Sequence, residues 1–160
     1  MKPAEHPTAL RVAQLLAEAG VGGRPVEFEQ TTRTSAEAAA AIGCSVAEIA
    51  KSIVFRGAVS GEAVIVVASG GNRVSESKVA ALVGEALARA DADFVRDATG
   101  YAIGGVAPVG HAKPVKLLLD HDLRRFETVW AAAGTPFSVF PITPEALRRL
   151  TGARWSDVKA

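Results

Sequence analysis

Lys51 lies in the segment KSIVF (51–55), whose β-branched and aromatic residues predict a strand. Alternate side chains of a strand share a face, so Lys51 is expected beside Ile53 and Phe55. An ammonium next to an apolar face either reaches solvent or binds an anion, because an unpaired buried charge is expensive. The pattern therefore predicts either a solvated strand end or a ligand for a phosphate or a carbonyl.

A glycine-rich segment, TGYAIGGVAPVGH (99–111), is the second candidate for chemistry. Gly104 and Gly105 permit unusual backbone dihedral angles, whereas Pro108 lacks an N–H and restricts the residue before it. A loop of fixed shape with exposed N–H groups could bind a carbonyl oxygen and stabilise the oxyanion that forms on attack. Glycine clusters also mark simple turns, so the segment by itself leaves both interpretations open.

The segment GGNRVSESK (70–78) joins a predicted strand to a predicted helix and carries Arg73 and Lys78. Such a loop can direct backbone N–H groups at an anion, and its two cations could contact a nucleic-acid backbone. It matches neither of the glycine-rich nucleotide motifs, so a tight turn with solvated basic residues is the alternative.

The other reactive side chains are more isolated. His111 ends the glycine-rich segment and could act as a hydrogen-bonding or acid–base group, whereas His121 lies in the acidic turn DHD. Asp120 is either a carboxylate beside the site or a turn residue. Cys44, the single cysteine, has no nearby histidine and is expected to be a small buried residue. No group has the spacing of metal ligands, so neither a metal nor another cofactor is expected.

Capping signals and glycines predict the helices that position these residues. A helix should run from a cap at Thr8 to about Ala19, and the later caps are Thr34, Ser45, Ser75 and Thr143. A further helical stretch is predicted over Glu85–Ala90. Strands are predicted at Pro25–Phe28, Lys51–Phe55, Ala63–Ser69, Phe94–Val95, Val115–Leu119, Thr128–Ala131 and Phe137–Phe140. Their irregular alternation predicts an α/β domain around a mixed sheet.

Length and composition limit the classes of protein to consider. The chain has 160 residues, which predicts one domain over residues 1–160. Its net charge of +1 argues against coating duplex DNA, and no recognition helix for specific DNA is apparent. The longest apolar runs, such as Ala63–Ala68, are too short to span a bilayer. We therefore expect a cytoplasmic protein with no membrane partner.

Three segments in this order resemble one family. AEIAKSIVF, VIVVASGGNRVSESKVAALVG and TGYAIGGVAPVGH are similar to the YbaK/prolyl-tRNA-synthetase-associated editing domain, from about Thr8 to Leu150. The resemblance implies an α/β fold with a mixed, barrel-like β-sheet surrounded by helices. It also implies a trans-editing hydrolase that deacylates mischarged tRNA, with the aminoacyl-tRNA acceptor end, and possibly an aminoacyl-tRNA synthetase, as its partners.

The resemblance also assigns roles to residues. Lys51 matches the family's lysine, which is needed for activity and lies near the tRNA 3′ end. Gly104 and Gly105 match a glycine–proline loop that lines the aminoacyl pocket and supplies backbone donors. Arg73 and Lys78 match a basic segment that would bind tRNA. The expected substrate-binding positions are Ile53, Val106, Pro108, Gly110, His111 and Asp120, of which His111 replaces a residue that varies between subfamilies.

The amino acid removed and the alternatives to hydrolysis remain open at this stage. Pocket size depends on which of five apolar side chains converge: Phe28, Ile53, Val67, Ile103 and Val106. Alanine, cysteine, serine, threonine and 2-aminobutyrate are all candidates, and the tRNA for proline is the leading one by resemblance. The alternatives are a non-catalytic tRNA- or nucleotide-binding module and a module that docks on a synthetase.

Overall fold

The computed structural model describes residues 1–30, 32 and 34–160. Five α-helices are formed: α1 (Pro7–Glu18), α2 (Ser35–Ile42), α3 (Glu76–Val83), α4 (Ala92–Thr99) and α5 (Pro144–Thr151). The strands are β1 (Lys2–Pro3), β2 (Val26–Glu27), β3 (Ile49–Gly57), β4 (Ala63–Ser69), β5 (Leu87–Arg89), β6 (Val115–Asp120), β7 (Val129–Ala132), β8 (Ser138–Ile142) and β9 (Arg154–Ser156).

All nine strands belong to one sheet, in the order β1-β2-β8-β7-β3-β4-β6-β9, with β5 paired to β3 off this path. The pairs β3–β7, β4–β6 and β6–β9 are parallel, and the other pairs are antiparallel. The sheet is therefore mixed and helices flank it, which confirms the predicted fold class. Among the described residues, no helix is long and apolar enough to cross a membrane.

The centre of the sheet is buried on both faces. Every residue of β4 is buried, as its unbroken run of apolar residues requires. Ile65 and Val67 pack on one face with α1 and α5, whereas Val64, Val66 and Ala68 pack on the other face. The β3 side chains follow the same alternation, because Val54 contacts the first cluster and Ile53 contacts the second.

Local capping signals predicted most helix starts. Thr34 Oγ1 accepts from Glu37 N at 3.1 Å, and Ser75 Oγ and Thr143 Oγ1 cap α3 and α5 in the same way. The segment after Ser45 is a 3₁₀ turn, Val46–Glu48, rather than an α-helix. The predicted cap at Thr8 is wrong by two residues, because His6 caps α1 and its Nδ1 accepts from Thr8 N at 3.1 Å.

Two predictions between residues 85 and 99 are wrong. Leu87–Arg89, within the predicted helical stretch Glu85–Ala90, is a strand because it completes an antiparallel ladder with β3. Phe94 and Val95, predicted as a strand, lie in α4, which Asp91 caps by accepting from Phe94 N at 2.8 Å. In both places a contact with the rest of the fold outweighs the local preference of a short segment.

Glu85 ties the turn between β3 and β4 to the neighbouring strand β6. Its carboxylate accepts from Val59 N and Ser60 N at 2.9 Å each, from Ser60 Oγ at 2.7 Å and from Lys116 Nζ at 2.8 Å. The Lys116 hydrogen bond is the main cause that lowers the pKa of Glu85 from 4.5 to about 2.

We expect Glu85→Gln to lower the melting temperature, because an amide cannot accept from four donors as the carboxylate does. A depressed folded-state pKa stabilises the protein above pH 4.5, and this gain is lost as the pH falls toward about 2. Melting curves of the variant and the wild type should therefore differ at neutral pH and converge in acid. Glu127→Gln, at an exposed residue, is the control; a constant difference at all pH values would contradict the prediction.

Candidate functional site

A cavity of about 260 Å³ lies where β3, β7 and β8 meet the start of α2 and the glycine-rich loop. It brings together four residues that the sequence placed in the site: Lys51, Ile53, Gly104 and Val106. The other lining residues are Phe28, Thr32, Thr34, Ser35, Ala38, Ile49, Ala50, Ser52, Trp130, Ala132, Thr135, Pro136, Ser138 and Val139. Apolar walls with a few polar groups are typical of a small-molecule site.

Lys51 is half-buried, and its Nζ donates to Gly70 O at 3.4 Å. Burial lowers the pKa of the Lys51 ammonium below its usual value, and the negative charge of Asp120 partly offsets this effect. The N-terminal end of α2, at Thr34 and Ser35, also lines the cavity and adds the positive end of a helix dipole. This wall of the cavity is therefore suited to an anionic or polarised oxygen.

The first half of the glycine-rich loop forms another wall of the cavity. Gly104 adopts φ +85°, a conformation that favours glycine. The Gly105 N–H donates to Ala102 O at 3.0 Å, so it is not free for a substrate, contrary to the expected backbone donor at this residue. The N–H groups of Gly104 and Val106 donate to no acceptor among the described residues, so they are the candidate donors for a substrate at this wall.

Gly105 sets the distance between the loop and the segment that joins β7 to β8. A Cβ atom at this position would lie 2.5 Å from the carbonyl carbon and 2.7 Å from the Cα of Thr135, and 2.8 Å from Pro136 N. Both neighbours line the cavity. Only glycine therefore lets these two walls approach as closely as they do.

The second half of the loop is held from behind by α1 and by its own side chains. The buried Tyr101 donates its OH to Val109 O at 2.6 Å, and Arg11 Nη2 donates to Gly110 O at 3.1 Å. Gly110 has φ +78°, which favours glycine, and a Cβ there would lie 2.5 Å from Leu15 Cδ1 and 2.8 Å from Tyr101 OH. These contacts give the loop one shape, although Gly110 itself does not line the cavity.

His111 also braces the loop rather than facing the cavity. Its Nε2 lies 2.8 Å from Ala107 O, so this nitrogen carries the proton and donates. Its ring contacts Tyr101 edge to face, with the ring centres 6.2 Å apart. Burial lowers the pKa of His111, which favours the neutral ring. Pro108 is buried and likewise does not line the cavity.

Asp120 is fully buried and does not line the cavity. Its carboxylate accepts from Ser69 N at 3.0 Å and from Asn72 Nδ2 at 2.8 Å, and its other oxygen accepts from Asp122 N at 3.0 Å. Asp120 therefore joins the end of β4 to the turn after β6. Its charge acts on the site through the pKa of Lys51.

The two predicted tRNA contacts lie outside the cavity. Arg73 is exposed in the loop before α3. Lys78 is also exposed, and its Nζ binds Asp157 Oδ2 at 3.0 Å and Lys159 O at 2.8 Å. Both cations are accessible to a large polyanion but not to a group inside the cavity.

The five apolar side chains that were expected to set the size of the pocket fall into two groups. Phe28, Ile53 and Val106 line the cavity, whereas Val67 lies in the core and Ile103 is 58% exposed outside it. Sequence reasoning missed the polar lining residues, most of which lie far from the loop in the chain: Thr34, Ser35, Ser52, Thr135 and Ser138. The sequence could have indicated Ser52, because it follows Lys51 in the same strand. No sequence feature indicated that the turn before β8 lines the cavity.

Known proteins are similar to this chain in sequence and in fold. The family model of the aminoacyl-tRNA editing domain matches residues 29–150. Uncharacterized protein YwhH of Bacillus subtilis (strain 168) is 35% identical over 133 residues, which are 82% of this chain and 84% of that protein. A crystal structure described as "a putative trans-editing enzyme for prolyl tRNA synthetase" matches with a TM-score of 0.91 and 45% identity, over 98% of this chain and 99% of that one.

The crystal structure of a hypothetical protein matches with a TM-score of 0.86 and 31% identity, over 94% of this chain and 99% of that one. The family match covers the strand that carries Lys51, the glycine-rich loop and the segment that Gly105 contacts. Sequence and structure therefore agree over the elements that build the cavity, and the chain belongs to the aminoacyl-tRNA editing domain family.

Proposed function

We propose that this aminoacyl-tRNA deacylase acts in trans on a tRNA for proline that carries a small wrong amino acid. The aminoacyl group would enter the cavity, and the terminal adenosine would lie near Lys51. The observation that carries the proposal is that Lys51, Gly104 and Val106 line one cavity of about 260 Å³. A cavity of this volume suits a small side chain and the ester that joins it to the ribose.

The chemistry follows from the groups around the cavity. An aminoacyl ester is already activated, so hydrolysis needs a positioned water and donors for the oxyanion. The N–H groups of Gly104 and Val106 are the proposed donors, and Lys51 either anchors a phosphate or polarises the ester. Tyr101 and His111 act as positioning residues, because they hold the loop from the opposite side.

Editing by a second site has a physical reason. A pocket discriminates against a substrate that differs by one methylene by only about 1–3 kcal/mol, so synthetases for small amino acids need a hydrolytic sieve. We propose that Arg73 and Lys78 contact the tRNA backbone and that residues 1–160 act as one editing domain. The cytoplasm, where aminoacyl-tRNA is used, is the proposed location, and a synthetase that releases mischarged tRNA is the proposed protein partner.

The test is a deacylation panel. Proline tRNA charged with alanine, cysteine, serine, threonine or 2-aminobutyrate is compared with prolyl-tRNA. The four protein amino acids are also tested on their own tRNAs. We expect at least one mischarged proline tRNA to be hydrolysed about tenfold or more faster than prolyl-tRNA. Binding without turnover across the panel, or equal rates on every tRNA, would contradict the proposal.

A further inference from the structure

One edge of β3 is unpaired where it borders the cavity. On that edge β7 pairs with Ile49 and Ala50, and β5 pairs with Phe55–Gly57. Among the described residues, no strand covers positions 51–54 between them, and Lys51, Ser52 and Ile53 line the cavity. The cavity therefore occupies a gap in the sheet.

The register of β3 on β4 shows which backbone groups face this gap. Gly70 N donates to Ile49 O at 2.7 Å, and Gly57 N donates to Glu62 O at 2.9 Å, on the β4 side. Backbone groups of an antiparallel strand alternate between its two edges, so odd-numbered residues of β3 bond toward β4. The N–H and C=O of Ser52 consequently point toward the open edge.

The Ser52 side chain is also unpaired. Its Oγ is buried and has no hydrogen-bond partner among the described residues. Buried polar atoms almost always have a partner, so an unpaired hydroxyl on a residue that lines a cavity indicates a ligand atom or a water that completes it. Ser52 thus combines an unpaired buried hydroxyl with a carbonyl and an N–H on the open edge, at a residue that lines the cavity.

An aminoacyl group also needs hydrogen-bond acceptors for its α-ammonium. An α-ammonium carries three donors and requires acceptors, yet the described lining residues include no carboxylate. The hydroxyls of Thr135 and Ser138 lie 2.5 Å apart and bond to each other. Because side chains alternate along β3, the Lys51 side chain lies on the opposite face of the strand from that of Ser52. An α-ammonium bound at Ser52 would therefore be separated from the Lys51 ammonium.

We propose that Ser52 is a substrate-binding residue whose Oγ and C=O accept hydrogen bonds from the α-ammonium of the aminoacyl group. The open edge of β3 then orients the ester toward the glycine-rich loop on the other wall. This assignment rests on the proposed function of the cavity, and it makes the enzyme selective for a free α-amino group.

Two adenosine analogues test it without relying on turnover. 3′-Alanylamido-3′-deoxyadenosine keeps the ammonium on a non-hydrolysable amide, whereas 3′-propionylamido-3′-deoxyadenosine replaces it with hydrogen. We expect the wild type to bind the first about tenfold or more tightly than the second, since hydrogen bonds to a charged group are the strong ones. Ser52→Ala removes Oγ and keeps the backbone C=O, so it should reduce this preference by about threefold or more and leave propionylamido binding within about twofold.

Controls separate this role from a structural one. Ser52→Ala should melt no lower than the wild type, because it removes an unpaired hydroxyl. Ser77→Ala, at an exposed serine, should keep the preference for the ammonium. A wild type that binds both analogues equally, or a Ser52→Ala variant that keeps the preference, overturns the assignment. An inactive deacylation panel would instead overturn the proposed function.

Discussion

Replacing Gly105 with alanine is expected to lower kcat/KM for deacylation by about 100-fold or more. The added Cβ would lie 2.5–2.8 Å from backbone atoms of Thr135 and Pro136, and backbone cannot rotate away as a side chain can. The two walls of the cavity must therefore separate. A displacement of about 1 Å between groups that position a substrate costs about 100-fold in rate.

The same substitution should also destabilise the fold, by about 1–3 kcal/mol, as overpacking of a buried contact does. Gly105 is buried and has no positive φ, so the cost comes from the collision and not from backbone strain. Thermal melting and single-turnover deacylation on the same preparation separate the two effects. The activity loss should exceed what the unfolded fraction explains.

Two other glycines provide matched controls for this substitution. Gly71→Ala places its Cβ in open space at an ordinary φ, so activity and stability should be unchanged. Gly104→Ala also meets no atom within 4 Å, but its φ of +85° costs about 1–2 kcal/mol for a residue with a side chain. If Gly105→Ala behaves like Gly71→Ala, the close approach to Thr135 has no part in catalysis.

The parts of the fold that the sequence predicted are those with local causes. Thr34, Ser75 and Thr143 cap helices within three residues of their partners, so their signals are complete in a short window. The predictions for the segments of β5 and α4 were wrong, because these structures depend on contacts with the rest of the fold. β5 forms because it pairs with β3, and α4 forms because one of its faces is buried. A sequence segment of about six residues shows neither the pairing partner of β5 nor the surface that buries α4.

In the candidate site, too, features with local causes were predicted and features that depend on distant contacts were not. Strand alternation correctly placed Lys51 and Ile53 on one face, and the family resemblance connected them with the glycine-rich loop. The collision that Gly105 avoids joins residues 30 positions apart, and no local pattern indicates it. Likewise, the open edge at Ser52 exists only because two strands distant in sequence stop on either side of it.

Removal of the Lys51 charge is expected to lower kcat/KM by about 100- to 1000-fold. Lys51 is the lysine that lines the cavity, and loss of one preorganised electrostatic group at a developing oxyanion costs about this much. Lys51→Ala removes both the charge and the apolar stem, whereas Lys51→Met keeps a stem of similar length. Equal losses in the two variants would assign the effect to the charge.

Lys113→Ala is the control for charge removal in general. Lys113 is exposed, pairs with Asp97 at 2.6 Å and lies outside the cavity, so its loss should leave deacylation unchanged. Surface pairs of this kind contribute about 0–1 kcal/mol to stability. Comparable losses in Lys51→Met and Lys113→Ala would mean that the enzyme responds to net charge and not to an ammonium in the cavity.

We expect the protonated form of Lys51 to be the active one, and the pH dependence of deacylation tests this. Burial lowers its pKa from 10.5, so the ammonium is lost at a lower pH than in an exposed lysine. The ratio of wild-type to Lys51→Met rates, measured from about pH 6 to about pH 10, should therefore be constant at first and fall toward alkaline pH. The hydroxide-driven loss of the ester is measured without enzyme at each pH and subtracted from both rates before the ratio is taken. A ratio that rises with pH would mean that neutral Lys51 acts as a base, and the cation assigned to the ester or phosphate would be wrong.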